Sequence, residues 1–213
     1  MFKKIFNLSE YHLRENVEYI LRDKDGNVKK IFQYNFLGNA LLKLFRKITP
    51  NPINESGEIK DGVLNYLSVF GLRFPFLFGL WTGKMCKSNL MTNSGLAGMA
   101  SRDNGAGAEA IFNYIAIGIG VVAAAVTDTA LASEITSNGG QRTIGAATRV
   151  TTSVTNDTAQ LVNTFTFTGA FTVTESGIFN AASAGTLKCR QVIGGVSVVS
   201  GDSLQIIWQT KAS

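Results

Sequence analysis

The stretch RTIGAATRVTTSVTNDTAQLVNTFTFTGAFTVTESG, residues 142–177, decides the fold class. Threonine, valine and phenylalanine alternate with small or polar residues along it. Asn156-Asp157 supplies a turn between two extended runs, 142–154 and 160–177. β-Branched and aromatic residues in alternation suit a pleated, half-buried surface, so both runs read as strands. Toward the C-terminus, TLKCRQVI (186–193), VSVVSG (196–201) and SLQIIWQTKA (203–212) continue the series, with turns expected at Gly194-Gly195 and Gly201-Asp202. In the last run Leu204, Ile206 and Trp208 face one way, and Gln205, Ile207 and Gln209 the other. Toward the N-terminus, FNYIAIGIG (112–120) places Tyr114, Ala116 and Gly118 on one side and Ile115, Ile117 and Ile119 on the other. DTALASEI (128–135) reads as a short helix capped by Asp128, and GLAGMASRDNGAG (95–107) as a short helix and loop. Short, turn-separated strands without long intervening helices indicate a mainly β chain, with an antiparallel β-sandwich of jelly-roll-like type over residues 91–213.

The first 90 residues have a different composition. They hold 14 basic and 8 acidic residues, a net of +6, whereas residues 91–213 hold 6 basic and 7 acidic, a net of −1. All three prolines (Pro50, Pro52, Pro75) lie in the first part, and 17 of 19 threonines in the second, so a boundary near residue 90 is expected. VEYILRD and VKKIFQY around Asp25-Gly26 read as a hairpin over 17–34. Asn35 then caps a helix over 36–48, in which Leu37, Leu41, Leu44, Phe45 and Ile48 share a face. A polar linker at 50–62 leads into a Phe-rich segment, 63–83. One hairpin, one helix and one Phe-rich ribbon do not make an evident core. Phe70, Phe74, Phe76 and Phe78 therefore read either as a contact with a neighbouring subunit or as an internal core strand.

Several function classes lack their chemistry. His12 is the only histidine, which argues against His-dependent triads and His-rich zinc sites. Cys86 and Cys189 show no metal-site spacing and are too few for a disulfide framework. No catalytic, cofactor-binding or metal-binding residues are expected. Segment 63–83 is apolar enough to suggest a membrane span, but Arg73 and Pro75 interrupt it, and 111–126 is shorter than the ~20 residues a spanning helix needs. Gly118-Ile-Gly120-Val-Val-Ala123 matches a dinucleotide-binding turn, but no acidic residue follows at the required distance and no βαβ alternation surrounds it. Lys24, Lys29 and Lys30 flank the hairpin turn and are interleaved with Glu18, Asp23 and Asp25. That mixture reads as a solvated or acidic-partner-facing surface rather than a nucleic-acid footprint. Lys29 and Lys30 join the four phenylalanines as interface candidates.

SGLAGMASRDNGAGAEAIFNYIAIGIGVVAAAVTDTALASEI, followed by ATRVTTSV…TESGIFNA…SGDSLQIIWQ, resembles a family of tailed-bacteriophage virion proteins, variously called head-decoration, head-fibre or tail-fibre proteins. The shared features are a YIAIGIG-like strand, a TDTAL helix start, a TESGIFNA turn and a closing SGDSLQIIW strand; EYILRDKDGNVKK also resembles the N-terminal element of such proteins. The resemblance implies a non-enzymatic virion protein, assembled in the host bacterial cytoplasm as a homo-oligomer, with a trimer expected. Residues 1–90 would be an anchor arm, with the major capsid protein or tail proteins as partners. Capsid decoration or a head fibre is the leading expectation, and a tail-fibre, tail-tip or baseplate component the rival. Residues 91–213 are expected to fold without the arm.

Overall fold

The alternating pattern of 142–212 is realised as strands in a computed structural model that describes residues 13–34 and 79–212. The helix expected over 36–48 and residues Phe70, Phe74, Phe76 and Phe78 lie outside the described residues. In chain order the strands are β1 (Leu13–Arg22), β2 (Ile31–Tyr34), β3 (Gly79–Thr82), β4 (Met85–Ser88) and β5 (Leu90–Met91). After helix α1 (Asn93–Asn104) come β6 (Tyr114–Gly118), β7 (Thr143–Ile144), β8 (Ala146–Val150) and β9 (Thr158–Thr166). The last three are β10 (Phe171–Phe179), β11 (Leu187–Val198) and β12 (Ser203–Ala212).

The chain is mainly β, with two five-stranded antiparallel sheets. The first has the order β4-β1-β12-β9-β8, the second β5-β11-β10-β6-β7, and β2 pairs with β3 in a separate ribbon. The main core joins the two sheets. Val17, Tyr19 and Leu21 of β1 and Leu204, Ile206 and Trp208 of β12 meet Ile115 and Ile117 of β6, Val173 and Ile178 of β10, and Val196 of β11. Each such side chain contributes about 1.5–3 kcal/mol on leaving water, which makes this cluster the main source of stability. Across it, the Tyr19 hydroxyl and Ser176 Oγ share a 2.6 Å hydrogen bond. The faces expected for β6 and β12 are the faces observed.

The centre of the second sheet, strand β10, is buried on both sides. Residues 119–142 form a strap over its outer face, where Leu131 packs with Ala116, Phe179 and Leu187, beside Tyr114. The helix expected at 128–135 does not form. Its backbone groups are taken by tertiary partners: Ile119 donates to the Ser133 carbonyl at 2.8 Å, and Ile135 donates to the Ile117 carbonyl at 2.9 Å. A helix would have to close those groups on its own turns.

Three other local expectations change for similar reasons. TESGIFNA is divided: Thr174–Phe179 lie in strand β10, whose two faces find apolar cover, and the chain bends from Asn180 onward. Gly194-Gly195 does not reverse the chain; β11 continues through it with a register shift opposite Thr174, and Gly195 takes φ 128°. Run 160–177 is divided into β9 and β10 at residues 167–170. The turns expected at Asn156-Asp157 and Gly201-Asp202 are present.

The hairpin expected over 17–34 survives at its turn, where Asp23 Oδ1 accepts the amides of Asp25 and Asn27 at 2.9 Å and Arg22 bridges to Val28. Beyond the turn the arms separate. β1 runs along β12 from Leu13↔Ala212 to Arg22↔Ser203, with β4 on its other side, while β2 joins β3. Residues 13–22 and 85–91 thus supply strands to the two sheets, and the expected boundary at 90 falls inside β5. Removing residues 1–90 takes Val17, Tyr19, Leu21 and Met85 out of the main core and uncovers an edge of β12. A chain of residues 91–213 alone is expected to show no cooperative urea transition. Tyr19→Phe, which orphans the Ser176 hydroxyl, is expected to lower the full chain's unfolding free energy by about 1–2 kcal/mol. A cooperative, full-chain-like transition in the truncated protein contradicts this account.

Candidate functional site

The polar chemistry of this chain is concentrated beneath the strap. Glu175, at the centre of β10, is fully buried (0 % exposed), and Arg190 of β11 is 2 % exposed. Arg190 Nε and Nη2 donate to Glu175 Oε2 at 2.8 and 2.7 Å, Nη1 reaches Asp128 Oδ2 at 2.8 Å, and Nη2 also donates to the Val122 carbonyl at 3.0 Å. The remaining Glu175 capacity is filled by the strap: the amides of Gly120 (3.0 Å) and Ser133 (2.7 Å) donate to Oε1, and that of Ala132 (3.1 Å) donates to Oε2. A buried ion pair is tolerated when its charges and leftover lone pairs are all satisfied, and this one is. At Asp128, desolvation raises the carboxyl, but the Ala125 amide and the Arg190 guanidinium outweigh it and hold it below its ordinary value.

This arrangement explains the two glycines that mimic a nucleotide-binding turn. A Cβ at Gly118 would meet the Ser133 carbonyl and Glu175 Oε1, and one at Gly120 would meet the same carboxylate and the Ala132 side chain. The space that a pyrophosphate would need is occupied by the chain's own carboxylate.

A second clamp holds the strap's far end. Arg142 Nε and Nη2 bind the two Glu134 oxygens at 2.9 and 2.6 Å, Nη1 donates to the carbonyls of Ala181 and Ala184, and the guanidinium lies 3.5 Å above the Phe179 ring. A third polar cluster sits at one end of the core, where Glu15 of β1 meets Lys188 of β11 at 2.6 Å and Asn89 Nδ2 at 2.7 Å. Two loops are self-sealed in the same manner. Desolvation works against the Asp157 charge, but the amides of Val154, Thr152 and Ser153 and the Ser153 hydroxyl outweigh it and hold that carboxyl far below the usual range. Asp202 takes Lys29 Nζ at 2.7 Å.

Of the interface candidates, Lys29 is therefore spent inside the chain, Lys30 is exposed, and the four phenylalanines lie outside the described residues. Cys86 is exposed and Cys189 buried, and both are free. Trp208 is 2 % exposed and belongs to the main core. Among the described residues no group of three His, Cys, Asp or Glu side chains could hold a metal, and no helix is long and apolar enough to cross a membrane.

Among the described residues two surfaces stand out. On the outer face of the first sheet Gln209 Nε2 donates to Gln160 Oε1 at 2.8 Å and Gln160 Nε2 to Thr148 Oγ1 at 3.3 Å, Ile20, Ile207 and Val162 are half-buried, and Glu18, opposite Ile207, pairs with Lys84 at 3.0 Å. On the opposite side of the molecule the strap exposes Ile119, Val122 and Val126. Sequence reasoning missed Glu175, Arg190 and Arg142. The available signal was a charge at the centre of an otherwise neutral strand, which folding permits only with a partner.

Comparison with family models, with curated proteins and with solved structures finds no match to this chain.

Glu175→Gln leaves Arg190 underpaired in the interior and is expected to lower the unfolding free energy by about 3–5 kcal/mol, while adding Arg190→Met recovers part of the loss. Urea titration of the single and double variants checks this, and additive losses contradict it. Asp157 and Asp128 are both held below the ordinary carboxylate range in the folded chain, so folding favours their charged forms. The stability they add is complete above about pH 5 and is lost as the pH falls further. The urea midpoint should hold level down to that point and then decline, and Asp157→Asn should flatten the decline. An equally steep fall in the variant contradicts the assignment.

Proposed function

We propose that this chain is a non-enzymatic structural subunit of a tailed-phage virion, a homo-oligomeric capsid-decoration or head-fibre protein. The observation that supports this reading best is the outer face of the first sheet, where a Gln/Thr ladder runs across β12, β9 and β8 beside half-buried Ile20, Ile207 and Val162. That ladder can pack against another copy while desolvating few charges, the Glu18–Lys84 pair lying at its β1 side. The exposed valines of the strap offer a second packing surface on the opposite side. The buried carboxylates and arginines are all engaged with one another or with the backbone, so they act as fasteners.

The finer reading is a jelly-roll-like sandwich with a separate attachment segment. It is supported by four passages of the chain between sheets, at β4/β5, β7/β8, β9/β10 and β11/β12. Because β1 and β4 belong to the first sheet, the attachment role narrows to the sequence of residues 1–12 and 35–78, with Phe70, Phe74, Phe76 and Phe78 proposed against a capsid partner. The virion placement itself rests on the family resemblance of residues 94–210.

Native mass spectrometry of the purified chain is expected to give a homotrimer, and charged substitutions at Ile207 and Val162 to give monomers that keep the fold. Immunogold labelling of intact particles is expected to mark heads. A monomeric wild type contradicts the packing role of the sheet face, and labelling confined to tails contradicts the capsid assignment.

A further inference from the structure

The cluster at Glu15 has a composition that packing alone does not require. It lies where the two sheets meet at one edge of the sandwich. Glu15 comes from β1 in the first sheet, Lys188 from β11 in the second, and Asn89 is the corner residue at which the chain passes from β4 to β5. Glu15 and Lys188 are both buried. One carboxylate joins the other two groups: Lys188 Nζ lies 2.6 Å from Oε1, and Asn89 Nδ2 donates to Oε2 at 2.7 Å. Thr210 steadies the pair, accepting from Lys188 Nζ at 2.7 Å and donating to Glu15 Oε1 at 3.0 Å.

Two features go beyond an ordinary ion pair. First, Lys188 is aimed here by a β-bulge. Ile178 pairs with Cys189 and Phe179 with Leu187, so Lys188 is the extra residue of the register shift. Leu187 enters the core beneath the strap and Cys189 the core between the sheets, while Lys188 reaches across to the first sheet. Bulges re-aim single side chains in this way and recur beside reactive groups. Second, the Asn89 amide is half used. Donating Nδ2 to the carboxylate turns Oδ1 away from it, and Oδ1 is buried without a hydrogen-bond partner among the described residues. A buried carbonyl oxygen left unpaired calls for an explanation, and a carboxamide and an amine held on the two oxygens of one buried carboxylate suggest one.

We propose that Lys188 and Asn89 condense to an intramolecular isopeptide bond, with Glu15 as the proton shuttle. Glu15 takes a proton from Lys188, and the freed Nζ lone pair attacks Asn89 Cγ. Glu15 then carries protons from Nζ to Nδ2, the Cγ–Nδ2 bond breaks, and ammonia leaves. Ammonia takes up the remaining proton in water and the Glu15 carboxylate is restored. No oxidant or co-reactant is consumed. The product ties the second sheet to the corner of the first and closes a loop through most of the sandwich.

Intact-mass measurement of the denatured full chain tests this directly. The wild type is expected to be lighter than its sequence by one ammonia, and proteolytic digestion to yield a branched peptide linking Asn89 to Lys188. Glu15→Gln, Lys188→Arg and Asn89→Ala are each expected to restore the unlinked mass. The wild-type result stands whether or not those variants fold. A wild type at full sequence mass after prolonged incubation in the folded state overturns the proposal, and so does ammonia loss without linked peptides, the signature of a succinimide.

Discussion

A carboxylate without water must be given donors on every side, and Glu175 imposes that requirement on much of the second sheet. Arg190 answers it from the neighbouring strand, and three backbone amides answer it from the strap. The consequences spread along the sequence. Positions 118 and 120 must be glycine, since any Cβ there would enter the carboxylate's space. Residues 128–135 stay non-helical, because the amides of Ala132 and Ser133 are committed to Glu175 and that of Ile135 to β6. With the strap thus fixed, Leu131 covers Phe179 and Leu187, and β10 can be buried on both faces despite lying in an antiparallel sheet.

The same economy governs the rest of the molecule. Glu134 with Arg142, Lys29 with Asp202, and Glu15 with Lys188 each fasten one part of the chain to another. Charge turned inward in this way leaves a first-sheet surface on which Gln, Thr and half-buried aliphatic side chains predominate, with the Glu18–Lys84 pair at the β1 side. Such a surface gains little from binding ions or polar small molecules and loses little when another neutral surface covers it. Internal fastening and external neutrality together suit a subunit that is assembled once and then endures.

What the sequence disclosed, and what it hid, divides by contact distance along the chain. The alternation of Tyr114–Gly118 and of Leu204, Ile206 and Trp208 is local, and it assigned the strands and their faces correctly. The turns at Asn156-Asp157 and Gly201-Asp202 are local as well. DTALASEI carried a sound local helix signal and lost it to partners more than forty residues away in β10. The Asp25-Gly26 turn was legible, but the preference of β1 for β12, at the other end of the chain, was not. Compositional contrast at residue 90 likewise concealed a chain path that returns basic N-terminal residues to a neutral sheet. The buried clusters were visible only as charges in unusual places: Glu175 within TVTESGIF and Arg190 within LKCRQV.

The claim that Glu175 holds the strap is tested most directly by hydrogen exchange at the amides that it binds. If the account is right, Gly120, Ala132 and Ser133 exchange only on global unfolding, within about tenfold of Ala116, which pairs with Gly177 of β10. Exchange of these three amides at the rate of an unprotected surface loop, with Ala116 still protected, would show that the strap opens on its own and that the buried pair does not fasten it.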